Sequence, residues 1–340
     1  MENTENFESN ESNESNENVN FQSRLNLEPL RESIDKIKAE METVIVGQHK
    51  MIDQLLVSIL ANGHVLIEGV PGVAKTMTAK IIAKTISVGF SRIQFTPDLM
   101  PSDILGTSVF DLKKSEFEFK KGPIFSNLVL IDEINRAPAK TQAALFEVME
   151  ERQITIDGHC YKLDQPFIIM ATQNPIEQEG TYRLPEAQLD RFLFKINIDY
   201  PKLNEEIDII NREHLLQNTG KLENIKAVLS ASDIVNYQAL VKQIQVEPNL
   251  LEYIAKLVVN TRENAFLYLG ASPRASIAIL NAAKGFAAIR GRDFVTPEDI
   301  KEAAIPVLQH RVIVTPEREM EGLTSIEIIK QIIESIEIPR

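Results

Sequence analysis

The sequence predicts an α/β fold in which a parallel five-stranded sheet lies between helices and an all-helical domain follows. Short apolar segments alternate with helical stretches in the first part of the chain, which is typical of parallel strands buried on both faces. A glycine-rich turn separates the first of these strands from a helix. After Tyr200-Pro201 the strand-like segments stop and helical periodicity remains. These features indicate two domains with a boundary near residue 200.

The predicted elements follow one another in a regular order. Leu30, Ile34, Ile37 and Met41 form the apolar stripe of a first helix, and a second helix ends at Asn62-Gly63. Five apolar segments are predicted strands, at 64–69, 90–95, 127–132, 167–172 and 192–198. Two insertions are predicted hairpins, at 108–125 and 152–163.

Three segments are therefore expected: a disordered tail at 1–24, an α/β domain at 25–200 and a helical domain at 201–340. The tail holds three tandem ESN repeats, six Glu and one Arg, with few apolar residues. Such a segment buries too little apolar surface to offset its chain entropy. We expect it to be solvated, and the alternative is a tail that binds a partner.

The overall composition narrows the function classes. A net charge of −13 over 340 residues argues against a general nucleic-acid binder, which usually presents a basic face. The single cysteine, Cys160, excludes a disulfide within the chain and is consistent with a reducing compartment. No apolar run reaches the length of a membrane-spanning helix, and no signal peptide is visible. We therefore expect a cytoplasmic protein without a transmembrane segment.

The segment GVPGVAKT, from Gly69 to Thr76, lies between a predicted strand and a predicted helix, which is the context of a phosphate-binding loop. Its glycines allow backbone N–H groups to face phosphates, and the following helix adds its positive end. We expect Lys75 to reach the β- and γ-phosphates of ATP and Thr76 to hold Mg²⁺. Ala74 stands where this motif usually has glycine, and its methyl group requires a backbone conformation open to L-residues.

An acidic pair and an amide follow two other predicted strands. Asp132 and Glu133 end the apolar run LVLIDE, and Asn174 follows FIIMATQ. We expect Asp132 to bind Mg²⁺ and Glu133 to polarise the attacking water, with Asn174 helping to position that water.

Arginines are further candidates because phosphoryl transfer builds up negative charge that cations stabilise. Arg191 lies in LPEAQLDRF and Arg274 in GASPRA, with Arg136 and Arg183 as weaker candidates. Most arginines are surface charges, so residue type alone does not separate a catalytic arginine from a solvated one.

Taken together, the ordered motifs resemble the MoxR family of AAA+ ATPases over about Ile45 to about Arg318. The motifs are GVPGVAKT, FTPDLMPSDILG, KGPIFSNLVLIDEINRAPAKTQAALFEVMEERQITIDG, MATQNPIEQEGTYRLPEAQLDRF and GASPRA. The resemblance implies a P-loop AAA+ αβα sandwich followed by a helical lid. The family commonly writes its loop with alanine before the lysine, so Ala74 agrees with the resemblance.

The resemblance also implies roles for single residues. Lys75 and Thr76 match Walker A, and Asp132 and Glu133 match Walker B. Asn174 matches sensor 1, Arg191 the arginine that acts across a subunit interface, and Arg274 sensor 2, which links the lid to the γ-phosphate. The nucleotide-binding set is then Val46, Gly47, Gln48, Gly69, Val70, Pro71, Gly72, Val73, Ala74, Lys75, Thr76 and Met77.

Partners and activity follow from the same resemblance. It implies an ATP-hydrolysing ring, usually a hexamer, that assembles or activates other proteins, often with partners carrying von Willebrand factor A domains. The two hairpins match elements that face the central pore in relatives. Two alternatives stay open: a nucleotide-gated scaffold with slow hydrolysis, which the presence of Glu133 disfavours, and a nucleic-acid-remodelling ATPase, which the acidic balance disfavours.

Overall fold

The computed structural model describes residues 24–70, 72–174, 182, 184–216 and 224–339. Except for Arg24, the predicted tail at 1–24 lies outside the described residues, as do Pro71 and Arg183. Within the described part of the chain, no helix combines the length and the apolar character needed to cross a membrane.

The helices and strands have the following bounds. The helices are α1 (Glu28–Glu42), α2 (His49–Leu60), α3 (Lys75–Thr85), α4 (Pro101–Leu105), α5 (Ala139–Glu151), α6 (Glu186–Leu189), α7 (Leu203–Leu216), α8 (Ala231–Lys242), α9 (Pro248–Glu263), α10 (Pro273–Ile289), α11 (Pro297–Leu308), α12 (Pro316–Met320) and α13 (Ser325–Ser335). The strands are β1 (His64–Gly69), β2 (Phe90–Gln94), β3 (Gly106–Asp111), β4 (Glu116–Lys121), β5 (Leu128–Asp132), β6 (Gln153–Ile156), β7 (His159–Lys162), β8 (Ile168–Gln173), β9 (Phe192–Ile198), β10 (Leu267–Leu269) and β11 (Ile313–Val314).

The five predicted strands form one parallel sheet in the order β2-β5-β8-β1-β9. Alternate residues of each strand enter two different cores, as the period of two requires. On β1, Val65 and Ile67 belong to the core that includes α1, α2 and α10, whereas Leu66 belongs to the core that includes α5. The sheet is therefore the middle layer of an αβα sandwich, and the predicted fold class is confirmed.

The chain after β9 is mainly helical, and α10 is its central helix. Alanines and Phe286 line the buried face of α10, which packs on α1, α2, α8, α9 and α11. At Gly285 a Cβ atom would lie 2.7 Å from Val57 Cγ1 on α2, so the glycine permits this close approach. The predicted helical lid is confirmed, and it also contains a short antiparallel ladder between β10 and β11 that periodicity did not indicate.

Both predicted hairpins are present, as β3–β4 and β6–β7. They contact each other: the Ser108 hydroxyl donates to Asp157, and the rings of Phe119 and Tyr161 lie 4.5 Å apart. Phe110 and Phe117 form an exposed edge-to-face pair on the first hairpin. The two insertions therefore form one contiguous unit.

Candidate active site

The glycine-rich loop joins the carboxyl end of β1 to the first residue of α3, Lys75. Gly72 has φ +90°, and no heavy atom lies within 4 Å of the position a Cβ would take. Its outer side therefore faces open space, as a loop that receives a ligand requires. Val73 is buried beneath the loop, and Val70 and Met77 pack against the same core.

Ala74 adopts a left-handed conformation, with φ +58° and ψ +20°, immediately before α3. This is the region that glycine enters without a steric cost and that costs other L-residues roughly 1–2 kcal/mol. The sequence suggested only that the methyl group is tolerable. The structure shows that it is accommodated in a strained turn.

The side chain of Lys75 curls back over the loop, and its Nζ donates to the carbonyl oxygen of Gly69 at 2.7 Å. Thr76 follows in the first turn of α3 and is half-buried. The ammonium group and the hydroxyl therefore both belong to the mouth of the loop, at the amino end of a helix that favours anions.

Asp132 ends β5 and is almost completely buried. One carboxylate oxygen accepts from the Thr172 hydroxyl at 3.3 Å, and the other accepts from Arg92 Nε at 2.6 Å. Sequence reasoning missed both partners, although a charged residue within the apolar run FSRIQF was a visible signal for Arg92. Each lies on a strand adjacent to β5, namely β2 for Arg92 and β8 for Thr172.

Glu133 directly follows β5 and has left-handed backbone angles, with φ +58° and ψ +53°. Its N–H donates to the Thr172 hydroxyl at 3.1 Å. Its carboxylate forms an ion pair with Arg136, with 2.6 Å between Oε2 and Nε. In this conformation the carboxylate is held by a neighbouring cation.

Asn174 follows β8 and is buried. Because Gln173 pairs with Glu68 in the parallel register, Asn174 lies beside the end of β1. The structure therefore brings the loop, Asp132, Glu133 and Asn174 to the same edge of the sheet, where the carboxyl ends of parallel strands form ligand-binding crevices.

The segment Val46–Gln48 flanks this edge on the side of β9. Gln48 Nε2 donates to the carbonyl of Asp199 at 3.4 Å, and Gly69 pairs with Ile198 just before it. A cavity of about 490 Å³ opens here between α2, the end of β9 and the lid, and Gln48, Asn197, Tyr200 and Gln309 are among its lining residues.

Arg191 and Arg274 come together on one carboxylate, that of Glu150 near the end of α5. Arg191 Nη1 lies 3.3 Å from Glu150 Oε2, and Arg274 Nη2 lies 3.0 Å from Glu150 Oε1. Arg191 also donates to the carbonyl of Phe146. The sequence identified both arginines but gave no sign that a shared glutamate joins them.

These arginines lie near the amino ends of the parallel strands, which form the opposite edge of the sheet from the loop. Arg191 directly precedes β9, whose first residue pairs with His64, the first residue of β1. The loop begins at the other end of β1, five residues later at Gly69, which corresponds to roughly 17 Å along a strand. The geometry therefore places neither arginine at the loop of its own chain.

A buried ion pair fixes this edge to the lid. Arg311 Nε donates to Asp190 Oδ1 at 2.6 Å, and the Ser272 hydroxyl donates to Asp190 Oδ2 at 3.0 Å. Burial lowers the pKa of Arg311, while the bond to Asp190 opposes that shift. Asp190 directly precedes Arg191, and Ser272 directly precedes the first turn of α10, which contains Arg274. The contacts of Asp190 therefore help to hold both arginines in place.

The same edge contains a buried histidine that carries no charge. His64 Nδ1 accepts from the N–H of Ile169 at 3.0 Å, and Nε2 lies 3.2 Å from the carbonyl of Met149. Burial, with a smaller contribution from the Arg152 charge, lowers its pKa to about 3. It therefore ties β1 to β8 and α5 as a neutral ring.

Comparison with known proteins agrees with this geometry. Residues 64–194 match the ATPase family associated with various cellular activities (AAA), and residues 259–332 match the AAA lid domain. The chain is 42% identical over 317 residues to the chaperone MoxR1 of Mycobacterium tuberculosis, covering 91% of this chain and 83% of that protein. The chain is a member of the MoxR family of AAA+ ATPases.

Two further relatives match nearly the whole chain. The YeaC protein of Bacillus subtilis is 44% identical over 312 residues, with 92% of this chain and 97% of YeaC covered. A crystal structure from Cytophaga hutchinsonii is 42% identical, with a TM-score of 0.85 and coverage of 92% and 97%. The AAA+ sandwich and its lid are thus shared along the chain, and membership of the MoxR family implies nucleotide binding.

Proposed function

We propose that the chain binds ATP with Mg²⁺, hydrolyses it within an oligomeric ring, and uses this cycle to remodel or activate partner proteins. The observation that carries the proposal is the division of the candidate residues between two edges of one sheet. The loop, Asp132, Glu133 and Asn174 lie at one edge, and Arg191 with Arg274 lies at the other.

The residues at the first edge fit ATP and Mg²⁺. The position beside Gly72 is open, so the loop has room for phosphate oxygens. Thr76 and Asp132 supply the hydroxyl and carboxylate oxygens that Mg²⁺ prefers, and both belong to this edge. When bound, Mg²⁺ neutralises charge that builds up on the transferred phosphoryl group.

The protein side chains then have distinct roles. Lys75 exchanges its bond to Gly69 for phosphate oxygens. Glu133, once released from Arg136, accepts a hydrogen bond from the attacking water, and the amide of Asn174 orients that water. The cavity bordered by Gln48 and Tyr200 receives the nucleoside, next to the segment Val46–Gln48.

The position of the arginine pair supports a contribution from a second chain. Arg191 lies roughly 17 Å along the strands from the loop of its own chain, and Arg274 shares Glu150 with it, so the proposed site they complete is that of a neighbour. A loop at one edge and arginines at the other form a head-to-tail contact, which closes into a ring when the rotation permits. We take the ring to be a hexamer, as the resemblance to the MoxR family implies.

Partner proteins are proposed to contact the hairpin unit formed by β3–β4 and β6–β7. The exposed ring pair of Phe110 and Phe117 offers an apolar surface to a client segment. The name of the MoxR1 relative, a chaperone, supports this kind of activity. Partners with von Willebrand factor A domains and the cytoplasmic setting stay predictions.

The ion pair between Glu133 and Arg136 favours a second candidate, a nucleotide-gated scaffold with slow hydrolysis. A glutamate held at 2.6 Å by a cation does not activate water until that contact opens. Partner binding measured with ATP and with a non-hydrolysable analogue separates the candidates. Complete binding and release of the partner without turnover would support the scaffold.

The Glu133→Gln variant tests hydrolysis directly. We expect its turnover to fall by at least about 100-fold, because the amide does not act as a base, while ATP binding is retained. Glu147→Gln, an exposed change of the same type on α5, is the matched control and should keep wild-type turnover. Unchanged turnover in Glu133→Gln would refute the catalytic assignment.

Turnover per chain should also rise with protein concentration as rings form, since the arginines come from a neighbour. Steady-state hydrolysis over a dilution series, with ring formation followed by light scattering, checks this expectation. A constant turnover per chain across the transition from single chains to rings would contradict the shared site.

A further inference from the structure

We propose that Arg92 is a positioning residue that holds the Asp132 carboxylate and competes with Mg²⁺ for it. The inference rests on the proposed nucleotide function and adds a residue that the sequence motifs did not single out. Arg92 would act through Asp132, setting how strongly nucleotide binding depends on the metal.

The contact is direct and lies at the proposed metal position. Arg92 Nε lies 2.6 Å from Asp132 Oδ2, although Arg92 belongs to the edge strand β2 and pairs in register with Leu130. The Thr172 hydroxyl occupies the other side of the carboxylate, at 3.3 Å from Oδ1. Both oxygens of Asp132 thus have protein donors.

The two donors differ in their freedom to move. Thr172 is buried on the central strand β8, whereas the Arg92 side chain is 49% exposed on the edge strand. An exposed guanidinium exchanges a carboxylate for water at a small cost, since surface ion pairs contribute little net free energy. Thr172 therefore keeps the carboxylate oriented, and Arg92 is the partner that can leave.

Charge makes the exchange competitive. A guanidinium and a divalent cation on the same carboxylate oxygen would repel each other at short range. With Arg92 in place, the nearly buried charge of Asp132 is compensated before any metal arrives. Arg92 would have to leave the carboxylate for Asp132 to hold Mg²⁺, and removal of Arg92 should therefore strengthen the dependence of nucleotide binding on Mg²⁺.

The test compares the affinity for a non-hydrolysable ATP analogue in Mg²⁺ and in EDTA, using isothermal titration calorimetry on the full chain. The readout is the dissociation constant in EDTA divided by the dissociation constant in Mg²⁺. This ratio reports the coupling between metal and nucleotide and needs no turnover. For Arg92→Gln we expect this ratio to increase about fivefold, the effect of losing one half-exposed ion pair. Arg92→Lys retains the charge and should restore most of the wild-type ratio.

Arg31→Gln is the matched control, because Arg31 is similarly exposed and pairs with a carboxylate, that of Asp35 at 3.9 Å, on α1. Its ratio should equal that of the wild type. An unchanged or smaller ratio in Arg92→Gln overturns the proposal, including the case in which both affinities fall together because Arg92 contacts phosphate. A wild-type chain that binds no analogue in either buffer instead refutes the nucleotide site itself.

Discussion

A mixture of two inactive variants tests whether the two sheet edges belong to different active sites. Glu133→Gln removes the proposed base beside the loop, and Arg191→Ala removes the arginine at the opposite edge. Each variant alone should be nearly inactive, because the base contributes about 10²–10⁴ and an arginine supplied from a neighbour about 10³–10⁵ in rate.

The geometry sets how much ATP turnover the mixture of the two variants should recover. Arg191 adjoins the first residue of β9, and the loop begins beside the last, roughly 17 Å away along the strand. If each site takes its base from one chain and its arginine from the next, an Arg191→Ala chain followed by a Glu133→Gln chain forms an intact site. Random mixing of equal amounts makes about a quarter of all contacts intact in this head-to-tail arrangement.

The assay is steady-state phosphate release at a protein concentration where rings form, with the two variants mixed before ATP is added. We expect about a quarter of wild-type turnover, against nearly zero for either variant alone. The double variant mixed with wild-type chain is the control, since shared sites leave about a quarter of the activity and sites within one chain leave about half. Activity equal to the mean of the two separate variants would refute the shared site.

Two stability predictions concern single residues. Ala74→Gly should leave the free energy of unfolding within about 1 kcal/mol of wild type, whereas Ala74→Val should lower it by about 1–2 kcal/mol, because a β-branched residue is disfavoured at φ +58°. Urea unfolding measures both variants. Equal stability of the Val and Gly variants would contradict the backbone strain at this position. The pKa of His64 is lowered from 6.5 to about 3. The neutral ring therefore contributes fully to the free energy of unfolding above pH 6.5, and this contribution is lost as the pH falls from 6.5 towards 3. Between pH 7.5 and 5.5 this group alone should reduce the free energy of unfolding by about 1.4 kcal/mol, and buried His310 acts in the same direction. His64→Asn should flatten that slope in urea unfolding series, and an unchanged slope would show that His64 is not the titrating group.

The sheet and the loop could be predicted because their signals are local. Each strand is a short apolar run, and the predicted bounds differ from the observed ones by no more than one residue at either end. The loop needs only a strand, glycines and a helix start in sequence, so Gly69 to Thr76 was identifiable without any knowledge of distant contacts.

Contacts between distant segments could not be predicted in this way. Arg92 and Thr172 meet at Asp132 only because β5 lies between β2 and β8, and the order of strands in a sheet is not written in their periodicity. Glu150 joins Arg191 to Arg274 across large separations in sequence. The ladder between β10 and β11 likewise consists of segments too short to show alternation.

The acidic groups around both edges have cations as partners in the single chain. Asp132 is paired with Arg92, Glu133 with Arg136, and Glu150 with both Arg191 and Arg274. The pairs made by Glu133 and Glu150, in which both side chains are partly exposed, contribute up to about 1 kcal/mol each. Hydrogen bonds between arginine and phosphate are charge-assisted and commonly bidentate, and are therefore stronger than these pairs.

The free-energy cost of moving an arginine from its carboxylate partner to phosphate is thus small once ATP and a neighbouring chain are present. Until then, the base is held by Arg136 and the arginine pair by Glu150, so each single chain has its proposed catalytic groups neutralised. In the proposed ring, hydrolysis therefore depends on the contact between chains. It follows that a Glu150→Gln variant, which frees the arginines at no cost to the loop edge, should lower the protein concentration at which turnover appears.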